Sequence, residues 1–116
     1  DVGLAERRRE ALVRAAADKL AASSVGAVAD ELGVSERNLR RIFFDVTGLL
    51  PKNFAKLARF RRALRTARTA RVVNWAAIAV QAGYYDQAHL IAEFRAISGV
   101  TPTALLLELR SAIAVG

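Results

Sequence analysis

The chain has no cysteine and a single histidine among its 116 residues. The first absence excludes disulfides and thiolate metal sites and leaves the redox compartment open. The second, joined to the lack of a carboxylate pair or a glycine-rich phosphate loop, leaves nothing from which the usual catalytic constellations assemble, so the sequence reads as a non-enzyme without cofactor or metal. No run reaches the roughly 18 apolar residues that a membrane span needs. The start, Asp1-Val2-Gly3, has neither an initiator methionine nor a signal-peptide pattern, and the expectation is a fragment of a longer soluble, intracellular protein. Proline is scarce as well, with only Pro51 and Pro102, and those two lead to what the sequence does contain.

Pro51 and Pro102 occupy the same place in two copies of one pattern. Ser35, Leu39, Phe43, Gly48 and Pro51 recur 51 residues later as Asp86, Leu90, Phe94, Gly99 and Pro102. Gly33 matches Gly83, so the second copy carries one extra residue, at the Tyr84-Tyr85 step. Each feature of the pattern has its own physical cause. Ser24 and Asn74 are N-caps that open a short helix. Ala29 and Ala79 sit four positions before the glycines, where a larger side chain would hold two helices apart. Gly33 and Gly83 supply the positive φ that ends the helix and turns the chain. Ser35 and Asp86 cap a second helix, whose apolar residues recur at helical spacing: Leu39, Ile42, Phe43 and Val46, then Leu90, Phe94 and Ile97. Gly48 and Gly99 stop it, and each proline begins a further helix, where a missing N–H costs nothing. Each copy is a helix-turn-helix.

The implied fold is all-α, with seven helices, no sheet, and two helix-turn-helix units joined by a long central helix. Residues 1–50 form a first lobe, 51–71 the linking helix and 72–116 a second lobe, together one domain. Helix one runs from about Glu6 to Ala22 with Leu12, Val13, Ala16 and Leu20 inward. The linking helix, from Pro51 to about Thr69, turns Phe54, Leu57, Ala58 and Leu64 inward and Lys52, Lys56, Arg59 and Arg62 outward. Trp75 and Tyr84 are core aromatics of the second lobe. The last helix, apolar over most of its circumference from Ala104 to Leu109, is either well buried or meets a neighbouring domain.

Charge supplies the functional direction. Lys and Arg number 18 against 11 Asp and Glu, a net charge of +7, which favours a polyanionic partner. Fifteen of the 18 are arginine, whose planar donor fork suits phosphates and guanine edges. With Leu39, Ile42, Phe43 and Val46 facing the core, Arg37, Arg40, Arg41 and Phe44 form one stripe on the opposite face. An arginine stripe near the start of the second helix in a helix-turn-helix is where base edges are met in the major groove. The alternative is an exposed charged face with Glu36 and Asp45 as partners.

These residues have a family. The span Gly83-Tyr84-Tyr85-Asp86-Gln87-Ala88-His89-Leu90-Ile91-Ala92-Glu93-Phe94-Arg95, followed by Gly99-Val100-Thr101-Pro102, closely resembles the signature of AraC/XylS-type bacterial transcription regulators. The stretch from Leu32 to Phe43, with Thr47-Gly48, is similar to the corresponding part of the first unit, and the resemblance runs from about Arg8 to Leu109. It implies a cytoplasmic regulator, expected to be an activator, that binds double-stranded DNA with two recognition helices in successive major grooves about 34 Å apart. It also implies RNA polymerase as a partner and a small-molecule effector acting only through a missing N-terminal domain, with no membrane involved. Carried over by position, Arg37, Arg40 and Arg41 read bases in the first unit together with Asn38. Gln87, Ala88, His89 and Ala92 take the groove-facing positions of the second. Many relatives have an arginine where this chain has Ala92. Ser35, Lys52, Asp86 and Arg95 are expected at phosphates. Two alternatives stand beside this reading: fusion to a DNA-alkyl-repair module, and a basic protein- or membrane-surface module, which would show no preference between DNA sequences.

Overall fold

The computed structural model describes residues 2–115, with side chains up to residue 112. Among the described residues there are seven helices and no strand: α1 (Val2–Leu20), α2 (Val25–Leu32), α3 (Glu36–Thr47), α4 (Pro51–Thr69), α5 (Trp75–Ala82), α6 (Gln87–Ser98) and α7 (Pro102–Val115). Local chemistry sets their ends. Ser24 Oγ accepts from the Ala27 N–H at 3.1 Å and Asn74 Oδ1 from that of Ala77 at 3.1 Å. Ser35 and Asp86 do the same for α3 and α6, from Asn38 at 3.0 Å and His89 at 2.8 Å. Gly33 and Gly83 take φ of 73° and 102°. The residues that follow them return their N–H groups across the turn, Val34 to the Ala29 carbonyl and Tyr84 to that of Ala79.

One boundary differs from the sequence-based expectation. The first helix begins at Val2 and ends at Leu20 instead of running from Glu6 to Ala22. The N–H groups of Ala22 and Ser23 both bond the Lys19 carbonyl, which turns the chain out of the helix and into the Ser24 cap.

The chain divides into two units, Asp1–Ala58 and Arg59–Gly116, with α4 contributing to each. In unit 1, Val13, Ala16 and Leu20 of α1 close over Val28 and Ala29 of α2, Leu39 and Phe43 of α3 and Ala55 of α4. Phe54 meets Phe43 edge to face at 5.3 Å. In unit 2, Ala63 and Ala67 of α4 pack with Ile78, Ala79 and Ala82 of α5, Tyr84, Leu90 and Phe94 around α6, and Leu106 of α7. Phe94 lies against Phe60 at 4.6 Å and Trp75 at 5.8 Å. Ala29 and Ala79, at 1% and 0% exposure, are the small contacts at which the paired helices approach. The α7 helix buries one face, through Pro102 and Leu106, while Leu107 is exposed.

Four positions expected to face one way face the other. Val46 and Ile97 are exposed, because both lie in the last turn of their helices, past the apolar cluster. Leu57 is exposed too, since it stands about 200° around α4 from buried Ala55. Arg59, expected outward, shares the i, i+4 line of Ala55, Ala63 and Ala67, and that line of small residues is the face that packs. Its guanidinium is correspondingly drawn inward, with the side chain only 16% exposed.

Candidate nucleic-acid interface

The α3 helix is apolar behind and cationic in front. Leu39 and Phe43 are fully buried, whereas Arg37, Arg40 and Arg41 are exposed, with Phe44 beside them. Ser35, Arg37, Asn38 and Arg41 come together around a shallow concavity at the start of the helix. There Arg41 Nη2 donates to Asn38 Oδ1 at 2.6 Å, which aims that guanidinium along the helix start. Arg40 stands 3.6 Å from Glu36 in an exposed i, i+4 pair, an arrangement worth little and readily exchanged for a stronger anion. Asp45, expected as a partner for these arginines, pairs instead with Arg9 of α1 at 3.0 Å. Arg37 has no ionic partner among the described residues. The N–H groups of the first turn add partial positive charge to the same end. Lys52, exposed in the first turn of α4, is not part of the concavity.

The α6 helix is built differently. Gln87, Ala88 and Ala92 are exposed, and Arg95 is exposed further along. Ile91, which the 51-residue correspondence sets opposite Arg40, is half-buried and packs on the core. His89 is half-buried, and both its ring nitrogens are engaged inside the unit. Nδ1 accepts from the Tyr85 N–H at 3.1 Å, which leaves the proton on Nε2, 2.8 Å from Glu93 Oε2. The same carboxylate oxygen receives Arg59 Nη2 at 2.8 Å. The Arg59 guanidinium lies 5.6 Å from the centre of the Tyr84 ring, and that ring meets His89 edge on. Burial, reinforced by the Glu93 charge and opposed in part by Arg59, pushes the Tyr84 hydroxyl well above its usual range and keeps it neutral. Three buried atoms of this network have no protein partner: Arg59 Nε, the Tyr84 hydroxyl and Glu93 Oε1. Asp86 uses its carboxylate as the α6 cap.

Two features escaped the sequence reading. Glu93 stands on the core-facing line of α6 between Leu90 and Phe94, where an acid on an apolar stripe is itself the signal of a buried partner. Tyr85 is 89% exposed, immediately before the Asp86 cap. It is the inserted residue of the second copy, so no periodicity marks it.

Among the described residues no group of His, Asp and Glu is placed to hold a metal ion, and no single helix is long and apolar enough to cross a membrane. A family model described as a helix-turn-helix domain matches residues 28–107. No curated protein matches the chain. Solved structures do. The chain is similar to the DNA-binding domain of AdpA, a global transcriptional factor solved in complex with a target DNA. That match has a TM-score of 0.77 and 24% identity and covers 93% of this chain and 97% of that one. It is similar to the C-terminal domain of AraT, a response regulator from Geobacillus stearothermophilus, with a TM-score of 0.74, 22% identity, and 80% and 81% of the two chains covered. A transcriptional regulator with an AraC-type DNA-binding domain from Chromobacterium violaceum matches at a TM-score of 0.66 and 23% identity, over 90% and 92%. At these identities the likeness is one of fold.

Proposed function

The chain belongs to the AraC-type helix-turn-helix family, and on that premise we propose that it binds double-stranded DNA sequence-specifically and regulates transcription. The observation that carries the reading is the front of α3, where Arg37, Arg40 and Arg41 are exposed over a back that Leu39 and Phe43 bury completely. A rigid helix with guanidinium groups at its N-terminal half is suited to bidentate contact with guanine O6 and N7 in a major groove. The similarity to a domain solved with a target DNA supports the same direction.

The roles divide between the units. Arg37, Arg40, Arg41 and Asn38 read base edges. Gln87, Ala88 and Ala92 line the groove side of α6, and His89, whose ring nitrogens are already engaged, acts at that side by shape more than by hydrogen bonding. Ser35, Lys52 and Arg95 meet phosphates, and Asp86 acts through the helix start that it caps. We extend the reading to a bacterial cytoplasmic regulator with RNA polymerase as a second partner and any small-molecule effector sensed by a separate domain.

Competition between defined and random duplexes, repeated across salt concentrations, tests the proposal. Affinity should fall log-linearly with salt, by a slope of about 0.9 per phosphate neutralised, and some sequences should outcompete others. A flat salt response with no preference among duplexes would overturn it.

A further inference from the structure

Unit 2 carries a second concentration of positive charge that base reading does not use. Arg61, Arg65 and Arg68 follow one another at i, i+4 and i+7 on α4, and Arg110 of α7 joins them around a groove of about 480 Å³ lined also by Leu64 and Thr69. No described carboxylate pairs with any of the four guanidinium groups. The contrast with Arg59 is direct, because that arginine of the same helix has found Glu93 of α6. At about 100° per residue, Arg61, Arg65 and Arg68 stand roughly 120–180° around the α4 axis from Arg59. The side of α4 that reaches α6 is therefore not the side that carries the groove.

Like charges one turn apart destabilise a helix, and nothing on the described chain offsets them here. An anion from outside would relieve this stripe beyond what solvent screening does. The groove sets limits on which one. Its cations repeat at helical spacing along one straight wall, and Leu64 together with the arginine stems supplies apolar surface between them. A lone phosphate would satisfy one or two guanidinium groups. A helix with carboxylates at i, i+4 and i+7 meets the whole stripe, with planar arginine forks opposite each acid and its own apolar stems against Leu64. We propose that the α4–α7 groove of unit 2 docks an acidic helical segment of a partner protein, on a surface separate from the DNA-reading face of α6.

A labelled helical peptide with Glu at i, i+4 and i+7, and its Gln counterpart, are titrated with the 116-residue chain near physiological salt. The Glu peptide should bind. The triple variant Arg61→Gln, Arg65→Gln, Arg68→Gln should weaken it about ten-fold. The charge-matched variant Arg7→Gln, Arg8→Gln, Arg14→Gln on α1 should change it by no more than about two-fold. Duplex affinity should fall equally in the two variants, since both lose the same charge. Equal peptide loss in the α1 variant would overturn the proposal by reducing it to net charge, and equal binding of the Gln peptide would overturn it by showing that the carboxylates play no part. A larger duplex loss in the groove variant would assign the groove to nucleic acid instead, and loss confined to binding of phosphatidylserine vesicles would assign it to a membrane surface. Should the triple variant fail to fold, Arg110→Gln alone, expected to weaken the peptide about three-fold, replaces it. The peptide titration contains no DNA, so it succeeds or fails apart from the DNA-binding reading.

Discussion

Unit 1 and unit 2 repeat one helix-turn-helix pattern with opposite distributions of charge on their second helices, α3 and α6. In unit 1 the arginines of α3 are on the outside, and Ile42 packs beneath the helix against the apolar cluster. In unit 2 the residue 51 positions later is Glu93, buried, and its carboxylate takes both Arg59 and His89. The outer face of α6 is correspondingly almost uncharged, with Gln87, Ala88 and Ala92. The duplicated caps and glycines end and restart the helices at matching places, and the charged positions between them differ. In unit 1 the arginines of α3 stay exposed. In unit 2 the Arg59–Glu93 pair ties α6 to α4, while Arg61, Arg65 and Arg68 stay exposed on another side of α4.

A buried ion pair is weak grounds for stability, because desolvation offsets much of the attraction. That balance is poorer still where Arg59 Nε, Glu93 Oε1 and the Tyr84 hydroxyl lack partners. What the network supplies is direction. Nδ1 and Nε2 of His89 are tied to Tyr85 and Glu93, so the first turn of α6, the Tyr84-Tyr85 step and α4 are linked through one ring and one carboxylate.

The comparison breaks first at Glu93. Glu93→Ala leaves the mostly buried Arg59 cation unpaired and should cost about 3–5 kcal/mol, whereas Ile42→Ala at the matching place trims a half-buried side chain for about 1–2 kcal/mol. Trp75, the one tryptophan of the chain, lies in unit 2 against Phe94. Denaturant unfolding followed by its fluorescence should therefore register Glu93→Ala strongly and Ile42→Ala weakly, with circular dichroism registering both. Equal midpoint shifts in tryptophan fluorescence would remove the distinction between the units.

The glycines sharpen it at the next level. Gly33 at φ 73° lies close to the left-handed region that some L residues visit, and a Cβ there would meet nothing within 4 Å. Gly83, at φ 102°, lies further outside it. Gly33→Val should cost about 1–2 kcal/mol from backbone strain alone, and Gly83→Val should cost more, each lowering the melting temperature of its own unit. A variant that melts like the parent would contradict the turn.

Alkaline pH gives the smallest difference. The folded unit holds the Tyr84 proton above the pH at which the unfolded chain, with the ordinary value of 10.0, releases it. This contribution is complete below that pH and is lost as pH rises beyond it. Unit 1 has no tyrosine. Between pH 9 and 11 unit 2 should therefore weaken more than unit 1, and Tyr84→Phe should abolish the excess, as read by melting detected through tryptophan for unit 2 and circular dichroism for both units across that range. An unchanged pH profile in Tyr84→Phe would assign the loss to other groups.

Caps, glycines and prolines were readable because each acts within a few residues of itself, so Ser24, Ser35, Asn74, Asp86 and the two prolines sufficed to place the helices from α2 to the start of α7. Helix faces were less so. Large apolar residues such as Leu57 drew attention away from Ala55, Ala63 and Ala67, whose small size is what lets α4 pack closely. The arginine face of α3 followed from periodicity alone. The support of α6 did not, since Arg59 and Glu93 are 34 residues apart, and nothing local to either announces the other. Glu93 could have been suspected from its place between Leu90 and Phe94, but its partner could not.

Selection of bound duplexes from a random pool, carried out with the parent and with Arg41→Ala, tests the division of labour most directly. A bidentate arginine–guanine contact is worth roughly 1–3 kcal/mol of discrimination, and alanine offers only a methyl contact. The parent should therefore yield a motif with one strongly constrained, guanine-containing half and one weakly constrained half, and Arg41→Ala should relax the strong half while leaving the other as it was. Equal constraint in both halves, or an unchanged motif with Arg41→Ala, would contradict the assignment of base reading to unit 1 and anchoring to unit 2.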